Sequence, residues 1–402
     1  MEKQGSTKKI YDYIVIGGGI SGVSFAYQTT RRQNSALILE REPKLGGRIH
    51  SIQPKDQPNY WCELGAHTCY NSYTELISLI RDSGNGDKIV PLGALPYVLY
   101  SHKKIKKVFS EISFLEIGFR FWRFFFSDKK GKTTREYFEP IVGKFNYSKL
   151  FSKLFRAVIS QEADEYPAEI FLKKRADKDE SISRRFSYQG GLSQMVEDIA
   201  TASGADIITS SHVTKIAKAE DGIFEIETLT GAKHRSLNIA IATDISAAPK
   251  LLLDLKMDDA AKLLESIHPS ASIAVNVLIE KEKVPLKKIA GIIPLSNEFF
   301  SVVSRDTIED EAWRSFTFHF AESKVSPAER LELIFRVLGI EDEHFSRTEI
   351  YRHILPAVRL VDLDLKEKLK SHLQGTGVSV LGNYFQGMSL EDCVKYSKEE
   401  AG

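Results

Sequence analysis

The sequence predicts an α/β fold in which a dinucleotide-binding domain is interleaved with a second, α+β domain, and three observations predict it. Tyr13-Ile14-Val15-Ile16 runs into Gly17-Gly18-Gly19-Ile20-Ser21-Gly22, the pattern of a strand, a glycine turn and a helix start. A second apolar run, Ala36-Leu37-Ile38-Leu39, ends in Glu40-Arg41. The chain has 402 residues, more than one compact core usually holds, so two interlocked domains are expected.

Gly17 permits the tight turn off the first strand, and Gly19 lets backbone approach a pyrophosphate. Gly22 lets the helix pack closely on the sheet while its first residues, Ile20 and Ser21, face the phosphates. Glu40 stands where an acid accepts from ribose hydroxyls, with Arg41 beside it. A lone GxGxxG is weak, but here strand, turn, helix and acidic strand end are in register. Leu45-Gly46-Gly47-Arg48-Ile49 follows, in which the glycines offer unobstructed N–H groups and Arg48 a planar donor fork for anionic oxygen. Glu63-Leu64-Gly65-Ala66-His67 completes the set.

Together these segments resemble the glutathione-reductase-type flavoproteins of the amine oxidase and protoporphyrinogen oxidase superfamily. The resemblance implies FAD, held at Gly17, Gly19, Ile20, Ser21, Gly22, Glu40 and Arg41. It implies further that Gly46, Gly47 and Arg48 lie over the phosphates and that Gly65, Ala66 and His67 run beside the isoalloxazine. Phe186–Leu192 is similar to the FxGGL/M turn of these proteins, and the strand matching His212–Ile216 holds adenine through backbone at Val213.

At the other end, Val378–Leu381 reads as a buried strand and Gly382–Gly387 as a turn. Met388–Val394 starts a helix, with Ser389 as N-cap and Asp392 at the third helical position. The positive helix end suits the charge on the N1–C2=O2 side of a reduced flavin, so Gly382, Asn383, Met388, Ser389 and Leu390 join the expected cofactor contacts. GNYFQGMSLEDCV, together with AGIIP and a later ILP, looks closer to the protoporphyrinogen oxidase branch.

The activity this implies is FAD-dependent oxidation of a cyclic or largely apolar small molecule by hydride transfer to flavin N5, with oxygen or another electron acceptor. An amine oxidase and a redox-neutral mutase are the alternatives. His67 is the candidate catalytic residue, as a titratable group at a cofactor cleft; the plain alternative is a satisfied histidine beside a cofactor loop. Protoporphyrinogen oxidases typically carry an arginine near the position of Ala66-His67, so propionate recognition is not expected there. Amine oxidases commonly place a lysine near N5, whereas Lys281, Lys283, Lys287 and Lys288 read as a solvated run.

Between the motifs, Tyr73–Asp82 and Ser193–Ala202 have helical spacing, and Val98–Tyr100 and Ile105–Phe109 are expected to pair around His102-Lys103-Lys104. Ser272–Ile279, Ala290–Pro294, Ser301–Ser304 and Trp313–Ala321 read as strands of an antiparallel floor, followed by a helix at Ala328–Gly339 and a strand at Tyr351–Pro356. The FAD-binding domain is expected over 1–66, 184–268 and 357–402. The substrate domain is expected over 67–183 and 269–356, with a helical insert at about 113–160. Within the insert, FRFWRFFF (Phe119–Phe126) is read as core, against the alternative of a membrane-facing entrance with peripheral bilayer contact. Ser127–Thr134 and Lys173–Ser183 read as charge-rich excursions.

Lysine and arginine number 55 against 54 acids, a net charge of +1, which argues against a nucleic-acid protein. Cys62, Cys69 and Cys393 form no CxxC pair, so neither a metal site nor a disulfide framework is expected, and a reducing, cytoplasmic setting is. The polar residues 1–10 suggest no secretory leader, and no apolar run reaches the ~18 residues of a spanning helix.

Overall fold

The computed structural model describes residues 9–57, 59–341 and 345–402; the polar start over residues 1–8 lies outside them. Strand Ile10–Ile16 pairs in parallel with Ala36–Leu39 on one side and Lys233–Ile241 on the other. Asp206–Ile208 extends the sheet beyond Ala36–Leu39, and Val378–Val380 pairs in parallel with Lys233–Ile241. Antiparallel Phe224–Thr228 and Val213–Lys218 complete it. Ile14, Val15, Leu37, Ile38, Ile239 and Ala240 are fully buried, as strands covered on both faces require. The register sets Ile16 beside Leu39 and Ile241, Ile208 beside Leu39, and Val380 beside Ile241. The carboxyl ends of the parallel strands therefore gather at one edge, where open α/β sheets bind ligands.

The second sheet runs in the order Phe345–Ala357, His268–Glu280, Trp313–Ala321, Ser301–Ser304, Gly291–Pro294, Tyr97–Ser101, Lys104–Lys107. The four expected floor strands are antiparallel to one another, and Tyr97–Ser101 joins them parallel to Gly291–Pro294. The sequence WRSFTFHFA alternates with the strand period of two. Phe316, Phe318 and Phe320 enter a core with Val275, Val277 and the buried face of helix Pro327–Leu338. Ser315, Thr317 and His319 consequently point to the opposite face, where Thr317 meets the backbone of Glu63.

The insert comprises helices Phe114–Gly118, Thr134–Val142 and Lys144–Asn146, a π-turn at Tyr147–Phe151 and helix Ser152–Ile159. A capping box starts the second of these: Thr133 Oγ1 accepts from Glu136 N–H, and Glu136 accepts from Thr133 N–H at 2.8 Å. The expected core segment is corrected here. Phe121–Phe125 forms a 3-10 turn, and Phe119–Phe126 lies exposed on the surface. Its rings pack on one another, as in the Phe121–Phe124 stack at 5.7 Å. The insert's own core is instead filled by Phe138, Phe155 and Phe171. Both charge-rich excursions are pinned. Lys129 Nζ donates to Phe171 O at 2.8 Å, and Arg81 pairs with Asp179.

A buried ion pair fixes the end of strand Trp313–Ala321. Arg314 donates to both carboxylate oxygens of Asp306, at 2.8 and 2.6 Å, and both side chains are almost fully buried. Removing one partner of such a pair strands the other's charge. Asp306→Ala is expected to cost about 3–5 kcal/mol in chemical unfolding.

Candidate active site

The glycine turns divide into those the protein itself requires and one it does not. A Cβ at Gly17, where φ is +111°, would meet Ala242 O at 2.5 Å, and one at Gly22 would meet Gly17 O at 2.1 Å. Both residues are fixed by packing. A Cβ at Gly19 would meet nothing nearer than 3.8 Å, so the room before the helix Ile20–Arg31 is free of protein. Gly46 N–H donates to Gly18 O at 2.9 Å, and a Cβ at Gly47 would lie 3.2 Å from Gly19 Cα, so the two glycine turns abut.

Glu40 is buried, and its carboxylate accepts from Gly18 N–H at 2.6 Å and Glu42 N–H at 2.8 Å. A carboxylate has about four acceptor positions, so two such bonds leave capacity for hydroxyls. Arg41 turns to solvent beside Glu42 at 3.1 Å, which leaves its backbone at the cradle. Ser211 N–H donates to Glu40 O at 2.7 Å, which sets the start of strand Val213–Lys218, with Val213 buried, next to the acid.

Arg48 carries the test of fit for a dinucleotide. Burial holds its pKa below the ordinary arginine value, against the opposing charge of Asp244. Yet its guanidinium makes no hydrogen bond to any described residue. A half-buried donor fork without an acceptor among the described residues, beside a space before a helix N-terminus, suits anionic phosphate oxygens. The residues present fit FAD.

Beyond Arg48 the loop Glu63–His67 is held from the second sheet. Thr317 Oγ1 donates to Glu63 O at 2.7 Å, and His353 Nε2 donates to Leu64 O at 2.7 Å. A Cβ at Gly65 would meet Arg48 O at 2.1 Å, so the loops close on each other there. The Glu63 carboxylate accepts from Ser51 Oγ at 2.5 Å and from Leu192 N–H, at the start of helix Leu192–Ser203, at 2.9 Å. Burial pushes its pKa up to about 7 in spite of these donors. His67 Nδ1 lies 3.2 Å from Gly65 O. A carbonyl can only accept, so Nδ1 carries the proton and Nε2 is left as an acceptor. Burial lowers the His67 pKa and favours this neutral form.

The last helix, Leu390–Glu400, is capped by Ser389, which accepts from Asp392 N–H at 3.1 Å. Ser397 Oγ donates to Ser21 O at 2.9 Å, which ties this helix to the start of the first. Gly382, Asn383, Met388 and Leu390 belong to the turn and helix start joined in this way. Lys173 and Arg175 reach Asp392 at 3.2 and 3.0 Å and bring two cations that the motif reading did not find. Lys281 donates to Asp310 O, and Lys283 and Lys288 pair with Glu280 and Glu309. None of them lines the cavity.

That cavity opens beside His67 and Glu63, with walls that include Trp61, Tyr97, Ser315 and Thr317. Arg185 and Arg305 also line it, and neither has an ion pair with a described acid. Arg305 donates to Trp61 O at 3.0 Å and Ile308 O at 2.7 Å and lies over the Trp61 ring at 4.3 Å. Arg185 donates to Gly93 O at 3.0 Å. Sequence reasoning missed both arginines, which no motif marks. Thr317 and His353 could have been found from their strand alternation.

The glycine geometry separates fold from ligand. Gly22→Ala is expected to cost about 2 kcal/mol or more in thermal or chemical unfolding, since its methyl meets backbone. Gly19→Val should leave apoprotein stability nearly unchanged while weakening flavin retention, read by absorbance after dialysis. Glu63 supplies a pH test. Its folded pKa, about 7, lies above the unfolded value of 4.5, so its stabilisation is complete below 4.5 and is lost as pH rises through 7. Relative to Glu63→Gln, the parent should lose about 3 kcal/mol across that window in chemical unfolding.

A family model described as NAD(P)-binding Rossmann-like domain matches residues 15–82, and that of flavin containing amine oxidoreductases matches residues 120–373. A flavin-containing amine oxidase of Oncorhynchus mykiss is 23% identical over 268 residues, covering 59% of this chain and 51% of the relative. The chain thus spans about half the length of that relative, and less of several others. Among solved structures, an Exiguobacterium sp. 255-15 protein assigned as a protoporphyrinogen oxidase superposes with a TM-score of 0.77 at 15% identity, covering 98% of both chains. A CLA-producing fatty acid isomerase from P. acnes superposes with a TM-score of 0.73 at 14% identity, covering 97% of both. These two likenesses show the fold. The amine oxidoreductase match, which spans more than half of the residues, goes further: the chain belongs to the flavin containing amine oxidoreductase family, and its cofactor is FAD.

Proposed function

We propose that this chain is an FAD-dependent oxidase or dehydrogenase acting on a cyclic or largely apolar small molecule that bears a carboxylate, with oxygen or another acceptor taking the electrons. The observation that carries this reading is the pair of arginines, Arg185 and Arg305, on a cavity wall that also presents Trp61 and Tyr97. A protonated amine would meet two guanidinium groups there. A carboxylate would find donors, and the rings would cover an apolar body. This supports the protoporphyrinogen oxidase-like reading over an amine oxidase. It also gives anion recognition a source other than the Ala66-His67 position.

When bound, FAD supplies the two-electron acceptor, so no protein nucleophile is required. The chain's residues position and shield. Neutral His67 presents Nε2 as an acceptor for a substrate proton or hydroxyl. Thr317 and His353 hold the backbone that carries it, and the Trp61 ring forms part of the cavity wall. The proposed FAD-binding domain comprises 1–66, 184–268 and 357–402, and the proposed substrate domain 67–183 and 269–356. In support, every strand of the first sheet falls in the former, and the second sheet falls in the latter but for His268 and Ala357 at two strand ends.

Anaerobic mixing tests the reading. Carboxylate-bearing porphyrinogens or polyenes should bleach the oxidised flavin, and Arg305→Gln should raise the substrate concentration needed by about tenfold or more. Bleaching by amines alone, or amine turnover improved by Arg305→Gln, overturns it in favour of an amine oxidase. Turnover that needs prereduced flavin but consumes no acceptor overturns it in favour of a mutase.

A further inference from the structure

The edge of the second sheet leads into the most apolar surface of the molecule. Between strand Lys104–Lys107 and the capped helix at Thr134, the side chains of Phe109, Phe114, Phe119, Trp122, Phe125 and Phe126 are 57–84% exposed. An aromatic side chain presents about 150–250 Å² when fully exposed, so these six alone offer on the order of 800 Å² to water. Monomeric proteins rarely leave contiguous patches above a few hundred Å² uncovered. The ring contacts within Phe121–Phe126 join residues of the same short turn and do not cover the outer faces.

Charge identifies what covers them. Residues 101–126 carry six lysines and arginines and two glutamates. Glu111 is already held by Lys106 at 2.8 Å and Lys149 at 2.7 Å. Glu116 accepts from the backbone of Phe145 and Asn146. Lys103, Lys104, Lys107, Arg120 and Arg123 are exposed, and none has an ion pair with a described residue. Projecting aromatic rings interleaved with unpaired cations match the depth profile of an anionic membrane surface, with acyl chains beneath phosphates. A second copy of the chain would set the same cations face to face, which disfavours self-association. No helix among the described residues is long and apolar enough to cross a membrane, so the contact is peripheral.

We propose that Phe109–Phe126 is a membrane-docking surface for anionic bilayers, its aromatic side chains entering the interface while Arg120 and Arg123 bind lipid phosphates. The experiment is co-sedimentation of the FAD-loaded full chain with phosphatidylcholine vesicles, with and without a minority of phosphatidylglycerol. The parent should sediment with the anionic vesicles and be released by about 1 M salt, where the screening length falls to about 3 Å. Phe125→Ser with Phe126→Ser, and separately Arg120→Glu with Arg123→Glu, should each weaken binding about tenfold or more with an unchanged melting temperature. Failure of the parent to bind either vesicle overturns the proposal, as does binding that both double variants leave intact. A fall in melting temperature of the serine variant overturns it in favour of packing. A concentration-dependent dimer in analytical ultracentrifugation, abolished by the same variant, overturns it in favour of a second copy.

Discussion

The site depends on a short stretch of backbone, Glu63–Gly65, held by the second sheet against the Arg48 carbonyl. Its carbonyls are buried, and buried carbonyls need donors. The second sheet supplies them from Thr317 and His353, each at 2.7 Å. That clamp fixes three things together. It presses Gly65 against the Arg48 carbonyl, where no Cβ fits, and turns the Glu63 carboxylate toward Ser51 and the helix at Leu192. It also leaves His67 beside the cavity with one nitrogen committed to Gly65. A hydrogen bond lost from either side would leave a buried carbonyl unpaired, at a cost of about 1–3 kcal/mol, and would loosen every group that follows.

Much of this was legible in the sequence because local rules and global fold agree over those segments. The glycine turn, the acidic strand end, the Ser389 cap and the strands from Ser272 to Ala321 follow from residue type and period alone. Alternation in WRSFTFHFA also places Thr317 and His319 on the face opposite Phe316 and Phe318. It does not say what they meet, since Glu63 lies 254 positions earlier. Arg305 was illegible for another reason. It sits on a 3-10 turn, Arg305–Thr307, whose neighbour Asp306 is anchored by Arg314, and neither period nor motif marks such a turn. FRFWRFFF was misread because a stretch apolar on every side is usually buried. The rule assumes that neighbouring elements have apolar faces to spare, and here Phe138, Phe155 and Phe171 had already closed the adjacent core.

Electrostatics connects the two halves of the site. A net charge of +1 says nothing of where charge sits. Arg48 lies half-buried at the cradle without a hydrogen bond to a described residue, and Arg185 and Arg305 line the cavity without an ion pair to a described acid. Elsewhere, buried Arg314 is fully met by Asp306. The contrast supports anion positions at these half-buried guanidinium groups, which have no carboxylate partner among the described residues. We propose that FAD phosphates meet that need at Arg48. Under the proposed function, a substrate carboxylate meets it at Arg305.

The proposed docking surface and the proposed substrate then constrain each other through one hairpin. Tyr97 lines the cavity, and its strand, Tyr97–Ser101, pairs with Lys104–Lys107, after which the exposed aromatic stretch begins. The cavity-lining strand is thus the hydrogen-bonded neighbour of the strand that leads into the proposed docking surface. A largely apolar acid concentrates in membranes, with its carboxylate among the headgroups and its body in the acyl layer. Such a molecule would approach this edge carboxylate-outward, past unpaired lysines and arginines. It would then exchange those cations for Arg185 and Arg305 without its charge ever lacking a partner. A protonated amine would be repelled at both stages. Under the two proposals the surface charge and the cavity charge would favour the same ligand class, although they rest on different residues.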